Sequence, residues 1–225
     1  MKKKIPVNQI YKRFNIPENL ARHMLWVAQI GVETIENWVG PNIDQENIIS
    51  VLLLHDIGNI IKFELHSNEA KKNYSQRELE KLLPIQKKMI ALYGNNADIA
   101  NISILEEIGV NKDVIQLLTN HSFDYLPTLL DSENWNEKIV FYADLRVAPW
   151  GIVPLKKRVE NLRDRYSHRN QQWKNKTTYS NWLNWSNKLE KQLNQQTSID
   201  LKHLTLNSDE KKTSELSAFK ISIEV

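Results

Sequence analysis

The stretch that most limits what this chain can fold into runs from Ile48 to Leu54 and leads directly into His55-Asp56-Ile57-Gly58-Asn59. Ser50 is the only polar residue between Ile48 and Leu54. A helix that is apolar on every side belongs in the centre of a bundle. The run is also short enough to be a buried strand, so periodicity alone leaves both forms open. Helical patterns on both sides of it favour a helix. Either way, it carries a histidine and an aspartate, side by side, into a largely buried position. An ionised carboxylate buried without a partner is very costly. A metal ion is the simplest compensation, because neutral imidazole and carboxylate both ligate divalent cations.

The flanking pattern is helical. A short amphipathic helix is expected over 8–14, and Pro17 opens a longer one, 17–38, with Leu20, Met24, Val27, Gly31, Ile35 and Trp38 on one face and His23 beside it. Gly40-Pro41 turns the chain, and Asp44 is placed to cap a central helix over 45–64. Ser75 and Glu78 form a capping box for the next helix, in which Pro84 predicts a break or kink near 83. Short helices follow at 97–108 and 111–121, separated by Gly109. A helix over 135–148 holds Asp144 among Ile139, Val140, Tyr142, Ala143 and Val147. A basic, solvated helix over 154–169 and an amphipathic one over 178–196 complete the pattern. The expected fold is an all-α domain over 1–203, with a C-terminal tail from 204. The alternation Phe219 to Val225 in that tail reads as a strand on a sheet edge elsewhere, or as nothing.

Composition narrows the function classes. There is no cysteine, which excludes disulfides, Cys-ligated zinc and a thiol nucleophile. The balance of 30 basic and 27 acidic residues is too even for a nucleic-acid binder. Only 6 Gly and 7 Pro argue against a turn-rich β-sandwich. No stretch approaches the roughly 18–20 apolar residues of a membrane span. Ile5-Pro6-Val7-Asn8, following the Met-Lys-Lys-Lys start, is no apolar signal core, so the expected location is the cytoplasm.

Besides His55 and Asp56, two polar residues stand in apolar helical segments: His23 and Asp144. Successive residues on a helix point about 100° apart, so His55 and Asp56 share one ion only if it lies against the seam between them. His23 and Asp144 would complete the shell from two other helices. Two imidazole nitrogens with two carboxylates suit Mn²⁺, Fe²⁺, Co²⁺, Ni²⁺ or Zn²⁺ better than Ca²⁺, and Mg²⁺ is also compatible. Each residue alone carries little weight; their order along the chain carries more.

That order, in Arg22-His23-Met24, Leu53-Leu54-His55-Asp56-Ile57-Gly58-Asn59 and Tyr142-Ala143-Asp144-Leu145-Arg146, resembles the HD-domain superfamily of metal-dependent phosphohydrolases over about residues 8–165. The resemblance implies an HD-type helical bundle with His23, His55, Asp56 and Asp144 as ligands of one divalent metal. The implied activity is hydrolysis of a phosphomonoester or phosphodiester bond, by metal-activated water, in a small nucleotide-like substrate. The chain departs from the pattern at Asn59, where many members carry Lys as a phosphate contact or Glu as a catalytic acid or base. Lys62, one turn on, is the candidate substitute for the first role and Glu64 for the second. His121 reads as a pocket residue or general acid. Arg22 and Arg146 are candidate phosphate clamps, because guanidinium forks match phosphate oxygens, with ordinary helix-end arginines as the alternative. Trp150 could stack a base or fill the core, and Lys156, Lys157, Arg158, Arg163 and Arg165 read as a salt-bridged solvated face. His168 and His203 carry no signal. The alternative function is a regulatory module that binds metal and nucleotide without turnover. The face at Trp182 and Trp185 packs either inside the domain or against a second copy, as a homodimer.

Overall fold

A computed structural model describes residues 2–68, 70, 74–119, 122–168, 171–204 and 210–224. Helices dominate it, and the fold is all-α. In chain order the helices are α1 (Val7–Arg13), α2 (Glu18–Glu36), α3 (Gln45–Leu54), α4 (Gln76–Tyr93), α5 (Ala97–Ile108), α6 (Lys112–Thr119), α7 (Leu126–Asp131), α8 (Trp135–Asp144), α9 (Leu155–Tyr166), α10 (Lys176–Asn194) and α11 (Glu210–Ser217). Among the described residues, none of these is long and apolar enough to cross a membrane.

The apolar run forms α3, as expected, and α3 occupies the centre. Ile48, Val51, Leu52, Leu53 and Leu54 are fully buried, and the helix packs against α2, α6 and α8. Gly31 marks the tightest approach of α2, since a Cβ there would lie 2.1 Å from Leu52 Cδ1. Side-chain caps satisfy helix starts where the sequence places short polar residues: Asp44 accepts from the Asn47 N–H, Asn134 from Glu137, and Ser75 with Glu78 closes the capping box.

Three elements differ from the sequence expectation. The central helix ends at Leu54, not near 64, and residues 55–58 form a turn before a 3₁₀ helix at Asn59–Lys62. The cause is tertiary. The Gly58 N–H donates to Asn101 Oδ1 at 2.6 Å, and a Cβ on Gly58 would meet that oxygen at 2.9 Å and the Asn101 backbone nitrogen at 3.1 Å. Pro84 does not break α4, which runs from Gln76 to Tyr93. Pro84 and Glu80, whose carbonyl loses its partner, are both exposed, so water can replace the missing bond. The helix expected over 135–148 stops at Asp144, and β2 (Val147–Ala148) pairs with β3 (Gly151–Ile152) in a tight hairpin.

The alternation near the C-terminal end becomes strand β4 (Lys220–Glu224), antiparallel to β1 (Lys2–Pro6), with Ile5 opposite Ile221. Ile221 and Ile223 are buried, which accounts for the alternation. α11 packs on α2, where Gln29 Nε2 donates to Thr213 Oγ1 at 2.7 Å and Lys212 pairs with Glu33. Trp182 is buried inside, 4.3 Å from Trp173 between ring centroids. Trp150, at the hairpin tip, is 64% exposed and fills no core position.

Candidate metal centre

Three separate pieces of the chain bring the expected ligands together. α2 carries His23, the turn that follows α3 carries both His55 and Asp56, and the last residue of α8 is Asp144. Because 55–58 is a turn closed by i→i−3 bonds (Ile57 N–H to Leu54, Asn59 N–H to Asp56), His55 and Asp56 are not consecutive positions of a continuing helix. The tight turn does the work of aiming both side chains at one point.

The distances are those of a ligand cluster. His23 Nε2 lies 3.6 Å from Asp56 Oδ2 and 3.3 Å from Asp144 Oδ1. His55 Nε2 lies 3.8 Å from Asp56 Oδ1 and 3.8 Å from Asp144 Oδ1. The donor atoms of His23, His55 and Asp56 all fall within 4.8 Å of one another. Donors each held about 2.0–2.2 Å from one ion are themselves about 3–4 Å apart.

His55 supplies the sharpest test of fit. Its Nδ1 is 2.9 Å from the Leu52 carbonyl oxygen, which can only accept, so Nδ1 carries the proton and Nε2 the lone pair. Burial holds this imidazole below its ordinary pKa. Nε2 is buried and has no hydrogen-bond partner among the described residues. A lone pair facing two carboxylates is electrostatically unfavourable on its own and is what a cation would resolve. A backbone carbonyl fixing the tautomer of a ligating histidine is also a common outer-shell arrangement. Burial pushes the Asp56 carboxyl up, but His55, Lys62 and His23 outweigh that and hold it below the usual carboxylate range.

A cavity of about 560 Å³ opens beside the cluster. His23, Asp56 and Asp144 line it, as do Lys62, Glu64, Arg158, Arg165 and His168, together with apolar and aromatic side chains including Leu20, Phe63, Tyr74, Leu162 and Tyr166. Lys62 and Glu64 thus both reach the cavity. Asn59 also borders it but is tied to the turn, since its Oδ1 accepts from Asn101 Nδ2 at 3.4 Å.

Other expected site residues sit elsewhere. Arg22 is half exposed, 4.0 Å from Glu18 and stacked over Trp26, and it does not line the cavity. Arg146 is fully buried. Its Nε donates to the Val153 carbonyl at 2.9 Å and Nη2 to the Leu204 carbonyl at 3.0 Å, while Nη1 serves Tyr142 Oη and the Leu201 carbonyl. The phosphate contact expected of Arg146 is therefore closed to it; this side chain ties α8 to residues 201–204. His121 lies outside the described residues.

Two cavity residues escaped the sequence reading. Arg158 is buried, with Nη2 3.4 Å from Asp144 Oδ1, and is no part of a solvated face. Its signal was present, because Arg158 falls on the stripe Leu155, Val159, Leu162 that α9 buries. His168 lies 3.6 Å from Glu64 Oε1 at the cavity, and its polar sequence context gave no hint of that. Comparison of the chain with protein-family models, curated proteins and solved structures gave no match.

Proposed function

We propose that this chain is a metal-dependent phosphohydrolase of the HD type, acting on a phosphomonoester or phosphodiester bond of a small, nucleotide-like substrate. The observation that carries the reading is the buried, partnerless His55 Nε2, its lone pair facing Asp56 and Asp144 beside a cavity. His23, His55, Asp56 and Asp144 would hold one divalent transition metal. Bound there, such an ion supplies Lewis-acid polarisation of a phosphoryl oxygen and activation of water.

The remaining steps belong to the chain's own side chains. The Leu52 carbonyl orients His55 and fixes its tautomer. Lys62 brings a positive charge to the cavity, where a phosphoryl group gathers negative charge as its bond breaks. Glu64 and His168, 3.6 Å apart on the cavity wall, are groups able to hold or pass a proton to a leaving oxygen. The apolar and aromatic part of the wall suits the body of a nucleoside better than a bare sugar phosphate. The test is elemental analysis of the purified protein, followed by a phosphoester and nucleotide panel with Mn²⁺, Co²⁺ and Ni²⁺. Asp56→Ala is expected to lose both metal and turnover; full activity in that variant would sink the mechanism.

A second reading is a metal- and nucleotide-binding module without turnover. It is favoured by Asn59, an amide bound into the turn by Asn101 where an acid, base or lysine would act. Stoichiometric metal and tight nucleotide binding with no hydrolysis by any divalent ion would select it.

A further inference from the structure

The cavity wall formed by α9 holds a cation whose hydrogen bonding is incomplete. Arg158 is 6% exposed, whereas its neighbours Lys156 and Lys157 are exposed. A guanidinium has five N–H donors. Here Nη1 donates to Asn161 Oδ1 at 3.3 Å and Nη2 to Asp144 Oδ1 at 3.4 Å, both longer than the usual range, and Nε is buried with no partner among the described residues. Asp144 Oδ1 is shared, because it also lies 3.3 Å from His23 Nε2. A buried charge with this few partners is costly in a finished structure. It is favourable in a site that receives an anion.

We propose that Arg158, with Asn161 one turn further along α9, forms an oxyanion subsite of the phosphate class beside Asp144. The guanidinium fork takes two oxygens of the anion, and the Asn161 amide nitrogen, on the same helix face, is a further donor into the cavity. The proposal rests on the phosphohydrolase reading, and it names the residue that orients the phosphoryl group against the metal ligands. Arg158 here is a ligand contact; a competing role, in which it only steadies Asp144, makes a different prediction.

The experiment is calorimetric titration of the full chain with inorganic phosphate, with and without Mn²⁺, alongside Mn²⁺ stoichiometry by elemental analysis. Arg158→Gln is expected to keep the native Mn²⁺ stoichiometry and to lose phosphate affinity by roughly tenfold to a hundredfold, the effect of removing charge-assisted hydrogen bonds. Arg158→Lys keeps the charge but not the fork and is expected to lose about threefold to tenfold. Native-like phosphate affinity in Arg158→Gln overturns the proposal. So does parallel loss of Mn²⁺, which would show that Arg158 steadies Asp144, and so does a native chain that binds no phosphate. If Arg158→Gln shows no cooperative thermal unfolding, Arg158→Lys decides, and unchanged affinity in it overturns the subsite. A native chain that takes up no metal but whose phosphate affinity still depends on Arg158 would sink the phosphohydrolase reading while supporting the subsite.

Discussion

Two buried arginines, Arg146 in the turn that follows α8 and Arg158 on α9, are treated by the structure in opposite ways. Around Arg146, backbone carbonyls from Val153, Leu201 and Leu204, with Tyr142 Oη and Glu190 3.6 Å away, use the whole guanidinium. Around Arg158 and the His55–Asp56–Asp144 cluster, contacts are long, one lone pair faces carboxylates, and one N–H has no partner among the described residues. The first region holds the fold together. The second gives up local stability to keep atoms available, as binding sites do.

The largest effect that tests this contrast is in the satisfied region. Arg146→Ala leaves several carbonyls and Glu190 without their donor and is expected to cost about 3–5 kcal/mol of stability. Denaturant titration reads that loss, and elemental analysis of whatever remains folded should show metal content unchanged. A loss of less than about 1 kcal/mol would erase the distinction, since that is the ordinary cost of any substitution.

The next effect is in the unsatisfied region and has the opposite sign. Mn²⁺ at a hundredfold excess over its dissociation constant should stabilise the chain by about 2.7 kcal/mol. For a chain of this size that is a rise in Tm of about 5–10 °C. Thermal unfolding with and without the ion measures it, and no shift in the native chain would mean that the incongruous lone pair has some other resolution.

The smallest is a pH effect on the apo chain. The folded pKa of His55 is depressed by burial, so just below the ordinary histidine value the unfolded chain binds more protons than the folded one. Stability is therefore full at neutral pH and falls as pH drops through about 6.5, by up to about 1.4 kcal/mol per pH unit until the folded pKa is reached. Comparing denaturant midpoints at pH 7.5 and 5.5 for the native chain and His55→Gln isolates it; an equal decline in both would remove His55 from the account.

What the sequence made legible follows the reach of each interaction. Placing α3 at the centre needed only the apolar run, and the four residues of the cluster could be found because each is a polar residue in an apolar helical segment. The end of α3 could not be read, since it depends on Asn101 accepting from Gly58 across 43 residues of chain. Arg146, read as a phosphate clamp, and Arg158, read as part of a solvated face, are both buried, and both were misplaced for the same kind of reason. The fate of Arg146 is decided by carbonyls of Leu201 and Leu204, which no local pattern announces. Arg158 was readable in principle, because it interrupts an apolar stripe, but the surrounding charges concealed the stripe.

The pairing of β1 with β4 also bears on how the molecule is made. Segments more than two hundred residues apart in the chain are hydrogen-bonded neighbours, Lys4 opposite Ser222 and Ile5 opposite Ile221. During synthesis α2 and α3 can pack as soon as they emerge, yet β1 has no partner until Lys220–Glu224 has been translated. Closing so long a loop costs little more than closing a short one, because the entropy grows only as the logarithm of length. The delay is one of timing. Until then a nascent chain would present an unpaired strand edge, the usual template for association with a second chain. The lysines at positions 3 and 4 are the residue type that natural edges use against such pairing.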